Sequence, residues 1–267
     1  MHLHFWGGAH TGKLRARNED AWAIAPYGPH GHWMKTYPEY TRVHFEHEAL
    51  LLVADGMGGL PAGDVASQCA VEAFLAHMQQ YDQRPESSKE SRDCLDAAFH
   101  YAHEKIADYQ NHHPGHQGMG TTLAVAWLCE TQWHVAWVGD SRAYLLNPGK
   151  EDHPSPFTHD HSYVGELVRE GSLSWEEARQ HPMAHVLSRA VGGAGAPEVE
   201  FREAPLHEGQ WLLLSTDGLH DMLSNQEIEA TIRASTYPEE AGPALMNQAL
   251  AAGGHDNITL CIARPMA

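Results

Sequence analysis

Basic residues are scarce in this chain: 17 Lys and Arg stand against 35 Asp and Glu, a formal net charge of −18 over 267 residues. That balance argues against a nucleic-acid or anionic-membrane surface, because both repel a negative protein. It weakly favours a cation-binding enzyme or a basic peptide partner. Cysteine is scarcer still. Cys69, Cys94, Cys129 and Cys261 lie far apart, and none belongs to a C-x-x-C pair. This argues against a disulfide framework or a cysteine zinc site and fits a reducing cytosol. Long apolar runs are missing, since the stretches at 49–54 and 123–129 fall far short of the ~20 residues that span a bilayer. The opening Met1-His2-Leu3-His4-Phe5-Trp6 has no basic region followed by an apolar stretch, so no signal peptide is expected. The expectation is a soluble cytoplasmic monomer. Tandem repeats, low-complexity tracts and a G-x-x-x-x-G-K-[ST] loop are absent as well. Histidine is the opposite case. The 22 scattered histidines make the net charge move strongly between pH 7 and pH 5.

An apolar fraction of 42% excludes disorder throughout, and a chain of this length can bury a sizeable core. Apolar residues recur at helical spacing over 61–81 (Val65, Cys69, Val71, Phe74, Leu75, Met78) and over 91–112 (Leu95, Ala98, Phe99, Ala102, Ile106). The stretch 82–92 joins these two helices. Strands are expected at 50–54, 122–128, 133–138, 211–215 and 258–263, with a hairpin connection at Glu130-Thr131-Gln132. Strands 122–128 and 133–138 are apolar on both faces, so helices or a second sheet must cover their outer side. Two shorter helical patterns, 162–170 and 174–180, interrupt the strand pairs. The layout is α+β: packed antiparallel sheets with helices outside. We expect one domain over 1–267, with a helical excursion at about 150–193.

The position of the acids is more informative than their number. Asp55-Gly56 and Asp217-Gly218 each follow an apolar strand and precede a helix pattern. Asp140 follows the strand ending at Val138, Asp256 precedes the last strand, and Glu19 and Asp20 precede the short apolar run 21–25. A single Asp-Gly is ordinarily a turn. Several acids at the ends of packed strands can converge on one edge, where they raise one another's pKa. A divalent cation removes that penalty. Carboxylate and carbonyl ligands without cysteine favour magnesium, manganese or calcium, and Gly56 lets the backbone approach an ion. Two such ions about 3.5–4 Å apart can activate a water. Arg15, four residues before Glu19, can grip a phosphate with its planar fork. Together these groups describe a phosphate-ester hydrolysis site.

The same residues resemble the metal-dependent Ser/Thr protein phosphatases of the type 2C family. In order they are Gly12-Lys13-Leu14-Arg15-Ala16-Arg17-Asn18-Glu19-Asp20, Val53-Ala54-Asp55-Gly56-Met57-Gly58-Gly59, Gly118-Met119-Gly120-Thr121-Thr122 and Val138-Gly139-Asp140-Ser141-Arg142. Thr158-His159-Asp160-His161-Ser162, Leu187-Ser188-Arg189-Ala190-Val191-Gly192, Ser215-Thr216-Asp217-Gly218-Leu219 and His255-Asp256-Asn257-Ile258-Thr259 follow. Met57 resembles the bacterial branch. The resemblance implies a four-layer αββα sandwich, in which two central antiparallel β-sheets are flanked by helices and the excursion acts as a flap. It also implies two Mn²⁺ or Mg²⁺ ions. Asp55 would bridge them, the Gly56 carbonyl would complete one site, and Asp217 and Asp256 the other. Asp140 with Asp217 matches a weaker third position. Glu19 and Asp20 would hold metal waters, and Arg15 the substrate phosphate. The implied reaction is direct attack of a metal-bridging water or hydroxide on phosphoserine or phosphothreonine of a protein, without a phosphoenzyme. The implied partner is a phosphoprotein substrate of a Ser/Thr kinase.

Two departures stand out. Met57 and Leu60 occupy places where relatives often carry a His, which leaves the leaving group without an assigned proton donor. The segment 28–47 is longer and more polar than the usual early hairpin connection. Two other functions stay open at this stage, namely a non-catalytic phosphoprotein-binding module and a small-molecule phosphohydrolase. Other features read as structure. His112, His113 and His116 are solvated loop histidines with no acid or Cys to complete a ligand set. Trp127, Trp133 and Trp137 are packing residues, and Glu176-Glu177 belongs to a solvated helix face. Gly7-Gly8 and Gly192-Gly193 are lone glycine pairs. Ser141 and Ser188 lack the G-x-S-x-G elbow of a nucleophile.

Overall fold

The computed structural model describes residues 2–27, 33, 41–43, 48–57, 62–81, 85–147 and 155–266, with no side-chain description for 41–43. The observations on Leu60 and on most of 28–47 lie outside these residues. Eleven strands and seven α-helices are described: β1 (His2–His10), β2 (Asp20–Pro26), β3 (Thr41–Val43), β4 (Glu48–Met57), α1 (Gly63–Met78), α2 (Ser88–His112), β5 (Gly120–Thr121), β6 (Leu123–Cys129), β7 (Gln132–Val138), β8 (Arg142–Leu146), α3 (Tyr163–Arg169), α4 (Trp175–Arg179), β9 (Glu200–Pro205), β10 (Trp211–Ser215), α5 (Asp217–His220), α6 (Asn225–Ala234), α7 (Pro238–Ala251) and β11 (Ile258–Met266). One sheet has the order β3-β1-β11-β10-β8. The other has the order β2-β4-β6-β7-β9, with β5 paired to β4. The pairings are antiparallel throughout.

Three apolar clusters define four layers. Alternate residues of β4 and β6 (Leu50, Leu52, Val125, Trp127) face α1 and α2 through Phe74, Phe99 and Ile106. The opposite faces (Leu51, Val53, Ala126) meet Leu3, Phe5, Leu212 and Leu214 of the first sheet. The outer face of that sheet (Leu213, Leu260, Ile262) lies under Ile228, Ile232 and Leu245 of α6 and α7. Successive residues on a strand point to opposite layers, and both sets are buried over most of β4 and all of β6. The αββα arrangement expected from the sequence is therefore present, with helices covering both outer faces.

Some elements differ from the sequence reading. Gly7-Gly8 sits inside β1. A Cβ on Gly7 would lie 2.3 Å from the Trp22 ring, and one on Gly8 2.6 Å from the Trp6 ring. The pair is glycine because two indoles cover the strand. β9 carries a polar edge pattern and escapes an apolar search. α2 begins within 82–92, at Ser87, whose hydroxyl accepts from the Glu90 amide. His112 ends α2, and His113 and His116 flank a 3-10 turn where His113 stacks on Tyr109. Glu177 closes a capping box with Ser174 and is not merely solvated. The three tryptophans are buried, as expected of core residues.

Candidate active site

Asp20 and Asp55 face each other across the β2–β4 ladder. The strand does not end at Asp55, contrary to the sequence reading. β4 runs on through Met57 because Gly56 and Met57 pair with Thr121 and Gly120 of β5, and the Gly56 amide donates to the Glu19 carbonyl at 3.2 Å. This crowding explains Gly56. A Cβ there would sit 1.9 Å from the Gly63 carbonyl oxygen and 2.7 Å from that of Glu19. The Asp55 backbone is held from the other side. Its amide donates to Thr122 Oγ1 at 2.9 Å, and its carbonyl accepts from Thr121 Oγ1 at 2.8 Å. Thr122 Oγ1 in turn lies 2.7 Å from Ser141 Oγ, beside Asp140. Gly139 adopts φ 107°, and a Cβ would clash with Thr122 at 2.6 Å, so this turn requires glycine to bring Asp140 against β6.

Asp217 opens α5 directly after β10, and Thr216 Oγ1 donates to Asp20 Oδ2 at 2.9 Å. Asp256 precedes β11 and accepts from Arg15 Nη2 at 2.5 Å. Asn257 is a site residue that the sequence motif contained but to which no role was given. Its Oδ1 accepts from the Glu19 amide at 2.7 Å. Its Nδ2 donates to the Thr11 and Arg17 carbonyls, both at 2.8 Å. One buried amide thus fixes the loop carrying Arg15, Glu19 and Asp20 against the loop carrying Asp256. Truncating it strands three backbone groups, and each buried unpaired polar group costs about 1–3 kcal/mol. Asn257→Ala should lose roughly 3 kcal/mol of stability in urea unfolding, and an unchanged midpoint would refute this role.

The acids act on one another electrostatically. Burial pushes the Asp20 carboxyl up to about 7, and Asp217 and Asp256 reinforce the shift. Burial likewise raises Asp217 to about 7, with Asp221 and Asp256 adding to it. Asp55 is driven well above the carboxylate range, by burial first and then by Asp217, Asp20 and Asp140. Asp140 shifts the same way, by burial and then Asp217. The Asp55 and Asp217 carboxyls hydrogen-bond to each other, with the proton favoured on Asp55. Asp20 Oδ1 and Asp217 Oδ1 are buried without a hydrogen-bond partner. Buried oxygens of this kind, on carboxylates that repel each other, fit a hard divalent cation. Asp221 and His185 also went unmarked in the sequence reading. Their ligand atoms and one of Asp217 all lie within 4.8 Å of one another. Asp221 follows Asp217 by one helical turn, a spacing that could have been noticed. The approach of His185 is long-range and had no local signal.

The excursion between β8 and β9 is tied to this edge. Arg142 donates to both Asp160 oxygens at 2.9 and 2.6 Å, and its guanidinium stacks on Trp175 at 4.2 Å. Gly139 and His161 exchange hydrogen bonds at 2.9 and 3.2 Å. Arg179 Nη2 donates to the Asp221 carbonyl at 2.6 Å. Beside Asp20, a cleft of about 310 Å³ opens along Asn18, Trp22 and the outer side of α1.

Two stacked antiparallel sheets between helix layers, with an acid cluster at one sheet edge, define a class of α+β enzymes. The family description "Protein phosphatase 2C" matches residues 40–252, and the chain belongs to that family, whose members are Ser/Thr protein phosphatases. It is 36% identical over 217 residues to the serine/threonine phosphatase stp of Listeria innocua, covering 81% of this chain and 84% of that one. It is 38% identical to the serine/threonine protein phosphatase PstP of Mycobacterium tuberculosis, covering 80% of this chain and 40% of that longer one. Among solved structures, the S. agalactiae serine/threonine phosphatase superposes with a TM-score of 0.83 at 28% identity, covering 98% of this chain and 99% of that one. The PstP catalytic domain in complex with 2 manganese ions superposes at 0.76 and 31% identity, covering 99% of this chain and 100% of that one. No helix among the described residues is long and apolar enough to cross a membrane.

Proposed function

We propose that the chain, as a single catalytic domain, hydrolyses phosphoserine and phosphothreonine on proteins with Mn²⁺ or Mg²⁺ at the acid edge. Asp55, the Gly56 carbonyl, Asp217 and Asp256 would hold two ions, and Asp140 with Asp217 a weaker third. The observation that carries this reading is the pair of buried, unpartnered oxygens, Asp20 Oδ1 and Asp217 Oδ1, among carboxyls that burial and mutual repulsion push upward. Two manganese ions in the structure of a 31% identical relative support it. When bound, the ions would supply the positive charge that activates water and neutralises phosphoryl oxygens. Glu19 and Asp20 would orient water through their carboxylates, and Asn257 holds the Glu19 backbone for this purpose. Ser141 is buried and engaged with Thr122, which fits a mechanism without a serine nucleophile.

The Arg15 side chain is 51% exposed, so the N–H donors it does not give to Asp256 are open to a phosphate. Asp256, first by hydrogen bond, raises its already high pKa, so it is a permanent cation. Charge-assisted hydrogen bonds contribute about 1.5–3 kcal/mol each. Arg15→Ala should therefore lower kcat/KM on a phosphothreonine peptide by roughly ten- to a hundredfold, and unchanged kinetics would remove it from the site. The reading as a whole is tested with p-nitrophenyl phosphate and a phosphothreonine peptide, each with Mn²⁺ and with chelator. Turnover that ignores the chelator, or none with either substrate, defeats it.

A further inference from the structure

A groove of about 740 Å³ runs between α1 and α2 on the outer helical layer. Its floor is apolar. Val65, Cys69, Ala73 and Ala76 of α1 recur at three- and four-residue spacing on one helix face, opposite Tyr101 and Tyr109 of α2. Val65, Cys69, Tyr101 and Tyr109 are only half-buried, and Ala76 is exposed. Such a face is the reverse of the polar exterior expected of an outer helix. Burial, reinforced by Glu72, raises the Cys69 thiol, which makes it part of the apolar floor and not a nucleophile. The rim is acidic. Asp64, Glu72 and Asp108 face Lys105, whose ammonium lies over the Tyr101 ring at 5.0 Å, and the exposed His112 and His113, of which His112 lies 3.5 Å from the Asp108 carboxylate.

Charge decides what can lie there. A second copy of a chain with net charge −18 is repelled by that rim, and so is a nucleic acid. A segment with Arg or Lys flanking apolar side chains complements both rim and floor. From Asp64 to Ala76 the helix rises about 18 Å, which accommodates about five extended residues. The Asp64 end opens toward the catalytic edge. Gly63, the preceding residue, packs so closely that a Cβ would lie 2.7 Å from the Gly56 oxygen and 3.0 Å from the Glu19 carboxyl carbon.

We propose that the α1–α2 groove docks a short basic segment with an apolar centre, carried by the phosphoprotein substrate at a distance from its phosphorylated residue. The proposal rests on the phosphatase reading for the identity of the partner. The groove then selects substrates by a second contact that the acid edge does not make.

Two phosphothreonine peptides test this, identical at the phosphosite and differing by an added segment of Arg and Leu. The tailed peptide should show a KM about tenfold lower, with kcat unchanged. Asp108→Lys, and separately Ala76→Trp, should erase that advantage while leaving p-nitrophenyl phosphate turnover untouched. An unphosphorylated Arg/Leu peptide should bind the wild type in fluorescence anisotropy and lose affinity in both variants. Equal KM values for the two peptides would overturn the proposal. So would an advantage that survives both variants, or sedimentation showing that Ala76→Trp dissociates a dimer. If no substrate turns over but the unphosphorylated peptide still binds in the groove-dependent way, docking stands and the phosphatase reading falls.

Discussion

Asp217→Asn should abolish turnover and, at the same time, stabilise the metal-free protein. Asp217 opens α5, lies within hydrogen-bond reach of the Asp55 carboxyl, and keeps one buried oxygen without a partner. The amide is nearly the same shape but carries no charge and has an NH₂ donor where the carboxylate has a second ligand oxygen. If this carboxylate holds a cation, a loss of at least about 4 kcal/mol in transition-state stabilisation follows, roughly a thousandfold in kcat/KM. In chelator the effect reverses, because a repelling charge is gone from a crowded edge. The paired measurement is Mn²⁺-dependent hydrolysis and Tm in EDTA. Full activity in the variant would dispose of the assignment. A lower Tm in EDTA would show that Asp217 is a structural acid and not a strained one.

The metal-free protein should lose stability as pH rises from about 6.5 to 8, and Mn²⁺ should remove that loss. Asp20 and Asp217 sit at about 7 in the fold against about 3.9 in an unfolded chain. A raised folded value means that the folded state holds the proton more tightly. The associated stability is present below about 4 and disappears as pH climbs through 7. Partial solvent contact at the edge holds the combined effect to about 3 kcal/mol. At about 2–4 °C per kcal/mol, this is a fall of roughly 10 °C in Tm. The buried histidines act in the opposite sense. Burial drives His220 well below its usual value, and His161 down to about 4, so their contribution is lost as pH falls from about 6.5 toward 4 and offsets the carboxyl effect there, which leaves the net fall in stability to the range above about 6.5. A cation that holds the carboxylates in their charged form should flatten the alkaline side only. A Tm in EDTA that is level between about pH 6.5 and 8 would contradict the crowding described for this edge.

The sequence carried the strands well where burial leaves an apolar imprint. β10 matches residues 211–215 to the residue, and β6 and β7 are shifted by one position at their ends. β1 and β9 escaped for different physical reasons. In β1, glycines replace apolar side chains because Trp22 and Trp6 fill the space, and β9 is an edge strand with alternating exposure. For the site, local patterning placed each acid near a strand end, and in the fold Asp20, Asp55, Asp140, Asp217 and Asp256 are coupled by burial and charge, while the group within ligand distance is Asp217 with Asp221 and His185. Local patterning could not show that Asp55 lies within its strand, since the pairing that extends β4 comes from β5, more than sixty residues away. The three hydrogen bonds of Asn257 and the approach of His185 are likewise contacts between distant segments. Nothing in their immediate neighbours encodes them.

β11 lies at the centre of its sheet, between β1 and β10, and runs in register with β1 from His2 opposite Met266 to His10 opposite Ile258. The loops bearing Arg15 and Asp256 emerge from the same ends of these two strands. During synthesis, β1 can meet β3 early but must wait for almost the whole chain before β11 exists, a pairing of high contact order. The loop bearing Asp256 is therefore anchored against the loop bearing Arg15 only once residues 258–266 have paired on both sides.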